Sequence, residues 1–220
     1  MINVCVNCGA YRADKIIDPS GPYAICPTCG HKHPFLRLPL LTVGGASCTG
    51  KSAVCDVLLG RIRKVVLLEG DLLWRAEFDT PQDRYRDFHE TWLRLCKSIS
   101  QSGRPVVMFN AGMGVPENVE GCVERRYFSE VHYLALVCDD GVLAERLRRR
   151  PEWRKSGDPA NVERQIEFNR WFKEHGRRIE PAVELIDTTG ATVEETAEQV
   201  ALWICSKIGN SQPLEPASIS

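Results

Sequence analysis

The stretch Gly45-Ala46-Ser47-Cys48-Thr49-Gly50-Lys51-Ser52 decides how this chain is read. It follows the apolar run Leu40-Leu41-Thr42-Val43 and opens a helical pattern over 51–59. Glycine, four residues, glycine, lysine and a hydroxyl, placed between a strand and a helix, is the spacing of a phosphate cradle. Each residue type has a physical reason to be there. Glycines let the backbone close around an anion without Cβ clashes, and the loop then offers a row of N–H donors. The helix that begins near Lys51 aims its positive end at the phosphates. Lys51 reaches the β and γ phosphates as a mobile charge, and the Ser52 hydroxyl is suited to ligate Mg²⁺. The whole loop, Gly45, Ala46, Ser47, Cys48, Thr49, Gly50, Lys51 and Ser52, is therefore the expected nucleotide-binding element.

Working outward, short apolar runs alternate with helical patterns from residue 40 to residue 208. Strands are expected at 65–68, 105–109, 133–137 and 183–186. A helix is expected over 82–102, with Phe88, Trp92, Leu95 and Ile99 spaced by three or four. A shorter helix is expected near 117–127. Asp139 and Asp140 sit where a helix N-cap belongs, ahead of Leu143 and Leu147. A charged helix is expected over 159–175, and Thr192 caps a last amphipathic helix. Nearly continuous apolar strands alternating with helices make a parallel sheet covered on both faces. The expected fold is a three-layer α/β/α domain with a five-stranded parallel sheet over 37–208, a lid near 146–158 and a flexible tail over 209–220.

Three further features stand beside the loop. In Val65-Val66-Leu67-Leu68-Glu69-Gly70-Asp71 a carboxylate follows the second strand. At the carboxyl edge of a parallel sheet, Asp71 can accept a hydroxyl proton as a phosphoryl group arrives; it can equally cap the next helix. Glu69, inside the strand end, is discounted. In Leu143–Lys155, Arg146 and Arg150 are four apart on one helix edge. They can clamp phosphates or form a solvated face. Ile186-Asp187-Thr188-Thr189-Gly190 ends the fifth strand.

Together these features resemble the P-loop nucleoside and small-molecule kinases: gluconate kinase, shikimate kinase, adenylate kinase and chloramphenicol phosphotransferase. The resemblance covers about residues 40–208. It implies a P-loop kinase fold with ATP and Mg²⁺ as cofactors and Asp71 facing the acceptor hydroxyl. It also implies catalytic roles for Lys51, Arg146 and Arg150 and a backbone contact to adenine around Thr189. Val106-Val107-Met108-Phe109-Asn110 ends in Asn where many P-loop ATPases carry an Asp, which argues against a motor-type hydrolase. Arg75, Arg84, Arg86, Asn110 and Glu117 are candidates for the acceptor site, and each has a surface role as its alternative. The aromatics Trp74, Phe78, Tyr85, Phe88 and Trp92 either stack on a ring or pack a helix on the sheet.

Residues 1–36 form a second unit. Cys5-Val6-Asn7-Cys8-Gly9 and Cys26-Pro27-Thr28-Cys29-Gly30 are two Cys-x-x-Cys-Gly knuckles with 17 residues between them. Two such pairs complete a closed tetrahedral site, so Cys5, Cys8, Cys26 and Cys29 are expected to hold a structural Zn²⁺ in a zinc ribbon. A disulfide or redox pair is the rival reading. The other six of the ten cysteines are scattered and read as small core residues.

The composition is that of a core-forming chain, 43% apolar and 26% charged, with net charge −1. No global field calls for nucleic acid, and residues 1–35 carry only Arg12, Lys15 and Lys32 as fixed positive charges. No apolar run approaches the roughly 20 residues that span a bilayer. A cytoplasmic protein is expected, and nucleic acid is not an expected partner. The expected activity is ATP- and Mg²⁺-dependent phosphoryl transfer to a small molecule, nucleoside or nucleotide. The alternative is an ATP-binding regulatory protein whose zinc ribbon docks a protein or RNA partner.

Overall fold

The computed structural model describes residues 2–209. Apart from Gly209, the tail expected over 209–220 lies outside the described residues. A small antiparallel sheet comes first: β1 (Ile16–Asp18), β2 (Tyr23–Ile25) and β3 (Lys32–Pro34), in that spatial order. The chain then runs β4 (Leu40–Gly44), α1 (Lys51–Leu58), β5 (Val66–Glu69), α2 (Arg86–Ser100) and β6 (Val106–Phe109). It continues through α3 (Pro116–Glu120), β7 (Val131–Val137), α4 (Asp140–Arg148), α5 (Pro159–His175), β8 (Val183–Asp187) and α6 (Val193–Lys207). The five later strands pair in parallel in the order β5-β6-β4-β7-β8.

Successive strand residues point to opposite faces of a sheet, and here each face has its own core. Leu40, Val106, Met108, Tyr133 and Ala135 pack with Phe88, Trp92 and Leu93 of α2 and Phe172 of α5. Leu41, Val43, Val107, Leu134 and Leu136 pack with Val54 and Leu58 of α1 and Val200, Trp203 and Ile204 of α6. Three layers result, with both sheet faces dry. The aromatics Phe78, Phe88 and Trp92 are buried in this packing, whereas Trp74 is half-exposed.

Two elements differ from the sequence expectation. Helix α2 begins at Arg86 rather than at 82, because Arg84 and Tyr85 both adopt left-handed backbone, with φ of 52° and 55°. The segment 117–127 divides into α3 and a 3₁₀ turn, Val123–Tyr127, because Cys122 is extended between them. No helix among the described residues is long and apolar enough to cross a membrane.

The N-terminal unit packs against α2 and the Val123–Tyr127 turn. Glu124 and Lys97, both buried, form an ion pair, and Asn3 joins them, its amide N–H donating to Glu124 at 2.8 Å while its carbonyl accepts from Lys97. Arg94 adds a second cation on Glu124 at 2.9 Å. The Tyr127 hydroxyl donates to the Ala13 carbonyl at 2.7 Å, and the Lys97 ammonium lies 4.0 Å from the Tyr127 ring centroid. Phe35 meets the same ring edge-on.

Candidate functional site

The cradle is built by the turn from β4 into α1. At Gly45 the backbone φ is +124°, and a Cβ there would lie 2.3 Å from the Leu136 carbonyl oxygen on the neighbouring strand. No other residue fits. Gly44 and Gly114 meet backbone to backbone, so that a Cβ on Gly44 would come 2.6 Å from the Gly114 Cα. This brings the loop after β6 against the cradle. Cys48 adopts φ of 68°, a left-handed turn that non-glycine residues rarely take, and the Thr49 hydroxyl closes the loop on the Ala46 carbonyl at 2.9 Å.

Lys51 folds back over the loop and donates to the carbonyls of Gly45 and Ala46, both at 2.8 Å. The residue is partly buried. Desolvation pushes its pKa down to about 8, against the opposing pull of Asp71. The Ser52 hydroxyl donates to the carboxylate of Glu69, the last residue of β5. Glu69, discounted on sequence, thus stands beside the residue expected to ligate Mg²⁺. Only the placement of β5 beside the first turn of α1 brings it there.

Asp71 lies in the 3₁₀ turn Gly70–Leu73 that follows β5. The buried indole of Trp92 fixes that turn by donating to the Gly70 carbonyl at 3.1 Å. Asp71, Glu69, Lys51, Ser52, Arg146 and Arg150 all line one cleft of about 730 Å³. A smaller pocket of about 210 Å³ adjoins it, lined by Cys48, Thr49, Gly50, Arg146, Thr188 and Ala191 among others.

Arg146 is held where these two pockets meet. Its guanidinium donates to the Thr188 carbonyl at 2.8 Å and to the Thr188 hydroxyl at 3.2 Å. That hydroxyl also donates toward the Thr49 carbonyl at 3.2 Å, tying the end of β8 to the cradle. Thr189 sits differently: its hydroxyl accepts from the Asp139 N–H at 2.8 Å and donates to Asp187 at 2.5 Å. The adjoining pocket is lined by Thr188 and Ala191, with Thr189 set back from it. Asp139 caps α4, accepting from Gly141 and Val142. Beyond α4, Arg150, Trp153 and Arg154 line the large cleft, with the Arg154 guanidinium 5.0 Å from the Trp153 ring centroid. Arg149 instead pairs with Glu145 at 2.5 Å on the outer side.

The acceptor-side candidates are placed as follows. Asn110 is buried and its side-chain oxygen accepts from the Met113 N–H at 3.1 Å, so it shapes the loop after β6. Arg84 pairs with Glu117, and Arg86 donates to the Gly121 carbonyl. Arg75 lies over the Phe78 ring at 4.8 Å and 3.9 Å from Glu77. None of these residues lines the large cleft. Asn169 and Arg170 brace the turn after β7: the Asn169 amide bonds both backbone groups of Cys138, and Arg170 pairs with Asp140 at 2.6 Å.

At the N-terminus, the sulfurs of Cys5, Cys8, Cys26 and Cys29 all lie within 4.8 Å of one another. Cys5 and Cys29 approach to 3.6 Å, and Cys8 and Cys26 to 3.9 Å. Bonds of about 2.3 Å in a tetrahedron put sulfurs about 3.8 Å apart, so this donor set fits Zn²⁺. No sulfur–sulfur bond joins any of the four. Burial opposes the Cys26 thiolate, yet the Thr28 and Cys29 N–H groups draw its pKa down to about 6, which favours the form that binds metal.

No protein-family model matches the chain. No curated protein matches it in sequence. Solved structures do. A gluconokinase from Sinorhizobium meliloti 1021 is similar over 79% of this chain and 95% of its own, with 18% identity and a TM-score of 0.52. The Deinococcus radiodurans tunicamycin resistance protein is similar over 82% and 100%, with 20% identity and a TM-score of 0.56. A sugar kinase from Janibacter sp. HTCC2649 is similar over 79% and 96%, with 14% identity and a TM-score of 0.55. The chain has the P-loop kinase fold, carried beside a four-cysteine unit.

Proposed function

We propose that this chain, a P-loop kinase fold with its polar groups gathered on one cleft, transfers a phosphoryl group from Mg·ATP to a hydroxyl of a small molecule. The acceptor is a small molecule, a nucleoside or a nucleotide. One observation carries the reading: Lys51, Ser52 with Glu69, and Asp71 line the same cleft as Arg146 and Arg150. A phosphate cradle alone serves many nucleotide-binding proteins. A carboxylate lining the same cleft, Asp71, supplies what transfer to a hydroxyl needs, a group to orient the nucleophile and take its proton. Two of the structural neighbours are named as a gluconokinase and a sugar kinase, which agrees with a hydroxyl acceptor.

In this scheme the loop amides and Lys51 would hold the phosphates, and Ser52, backed by Glu69, would hold the magnesium. The metal neutralises charge on the transferring group. Arg146 and Arg150 face the phosphates from the other wall of the cleft. The adenine lies in the smaller pocket by Thr188 and Ala191. The Zn²⁺ is structural, because four cysteines leave no open coordination position.

The test is a phosphoryl-transfer screen over nucleosides, nucleotides, sugar acids and antibiotics, followed by Asp71→Asn on any acceptor found. The variant is expected to lose about 10²–10⁴-fold in transfer, the range for one acid–base group, while binding ATP as before. Unchanged transfer removes Asp71 from the mechanism. ATP binding without turnover on every acceptor supports the regulatory alternative instead.

A further inference from the structure

Helix α4 is fastened to the cradle. Its Leu143, Ala144 and Leu147 are buried together with Ala46 of the loop and Cys138 just after β7. Helix α5 adds a tether, the Gln165 side chain accepting from the Ser47 N–H at 2.8 Å. Arg146 rides on the fastened helix, one residue before the buried Leu147, whereas Arg150 lies beyond the helix end at Arg148. The sequence pattern places both arginines in one lid near 146–158, yet their bonding differs. Arg146 makes two side-chain hydrogen bonds, both to Thr188. Among the described residues the Arg150 side chain makes none.

Thr188 is 3% exposed, and the direction of its hydroxyl is fixed. A guanidinium has only donors, so the Thr188 oxygen accepts from Arg146 and its own proton is left for a carbonyl. Two carbonyls lie in reach, those of Thr49 and Val137, both at 3.2 Å. Either bond keeps the oxygen's lone pairs free for Arg146. The bond to Thr49 also ties the hydroxyl to the cradle residue that precedes Gly50 and Lys51. The guanidinium is thus held at the junction of the large cleft and the smaller pocket, with both anchors supplied by one residue of the protein.

We propose that Thr188 is a positioning residue for the nucleotide site: its hydroxyl and carbonyl set Arg146 in place to bind the donor nucleotide, so that Arg146 belongs to the fixed wall of the site and not to a closing lid. The proposal rests on the nucleotide-binding part of the reading given above. A long side chain loses rotamer freedom when it grips a ligand. Here that loss is taken on folding, and the nucleotide meets a planar fork already set.

The test is a double-mutant cycle read as affinity for Mg·ADP by calorimetry, so no acceptor is needed. Thr188→Val keeps the branched shape and the backbone bonds but loses the hydroxyl. It is expected to bind Mg·ADP roughly tenfold more weakly, the lower end for a hydrogen bond to a charged group. Thr188→Ser, which keeps the hydroxyl, is expected to bind like the wild type. Arg146→Met is expected to cost more than Thr188→Val. In that background Thr188→Val is expected to change nothing further, because the hydroxyl has no guanidinium left to hold. Equal losses from Thr188→Val in both backgrounds assign its effect to the Thr49 bond and overturn the proposal. Wild-type affinity in Thr188→Val, or in Arg146→Met, overturns it too. Should Thr188→Val fail to fold by circular dichroism, Thr188→Ala enters the same cycle. A wild-type protein that binds no ADP refutes the cradle itself, and the proposal falls with it; binding with an additive cycle refutes the role of Thr188 alone.

Discussion

The Ser52 hydroxyl donates to the Glu69 carboxylate, joining the first turn of α1 to the end of β5. The pair puts an acceptor-only group behind the hydroxyl that faces the cleft. Glu69 thus orients the Ser52 oxygen for a metal and adds negative charge beside it. Glu69→Gln is expected to raise the Mg²⁺ concentration needed for half-maximal turnover by about 10–100-fold, the usual cost of losing an outer-shell partner. A Mg²⁺ titration at saturating ATP checks this, and an unchanged midpoint detaches Glu69 from the metal.

Lys51 gives the cradle a pH dependence. Desolvation lowers its pKa from the usual 10.5 to about 8 in the free protein. Bound phosphates favour the charged ammonium, so they raise the pKa again. Above pH 8 nucleotide binding must therefore take up a proton, and affinity falls as pH rises, by up to about tenfold per unit for one linked proton. Calorimetry of ADP binding from pH 7 to 9.5, in buffers of different ionisation enthalpy, measures the uptake. Lys51→Arg is expected to keep its charge and flatten the profile, and Lys51→Ala to abolish ATP turnover while leaving the fold intact.

The buried Lys97–Glu124 pair is costly to break from one side. Glu124→Gln leaves the Lys97 ammonium, 2% exposed, with no counter-charge. A loss of about 3–5 kcal/mol in unfolding free energy is expected. Combining it with Lys97→Met removes the stranded charge and is expected to restore much of that loss. Urea unfolding of the three proteins checks both statements.

The knuckles make metal content measurable. One zinc per chain is expected, released together with loss of structure in the first 36 residues when a strong chelator is added. Elemental analysis with far-ultraviolet circular dichroism reads both. Metal well below one per chain, with Cys5 and Cys8 oxidised, ends the zinc reading.

The parallel sheet was legible because its strands are short apolar runs and because the cradle spacing has a single structural context. The cysteine pairs were legible because two residues between thiols is a local geometry. Other features depend on contacts across the fold. Arg84 and Tyr85 look helical by pattern, yet both turn left-handed and delay α2. Asn110 looks like a ligand from its place at a strand end, but its amide is used to shape the next turn. Gln165 gives no local sign at all, because its partner Ser47 is 118 positions away in the chain. Glu69 needed the register of β5 against α1 to be seen beside Ser52.

Asn3 and Glu124 are bonded across 121 positions of sequence. At a synthesis rate of 5–20 residues per second, the first emerges roughly 6–24 s before the second. For that interval the amino-terminal unit has no surface to lean on. All four of its thiols are complete once Cys29 has been made, long before Glu124 exists. An ion captured then gives the unit a shape of its own while it waits, so the rest of the chain folds onto a finished template rather than around a loose end.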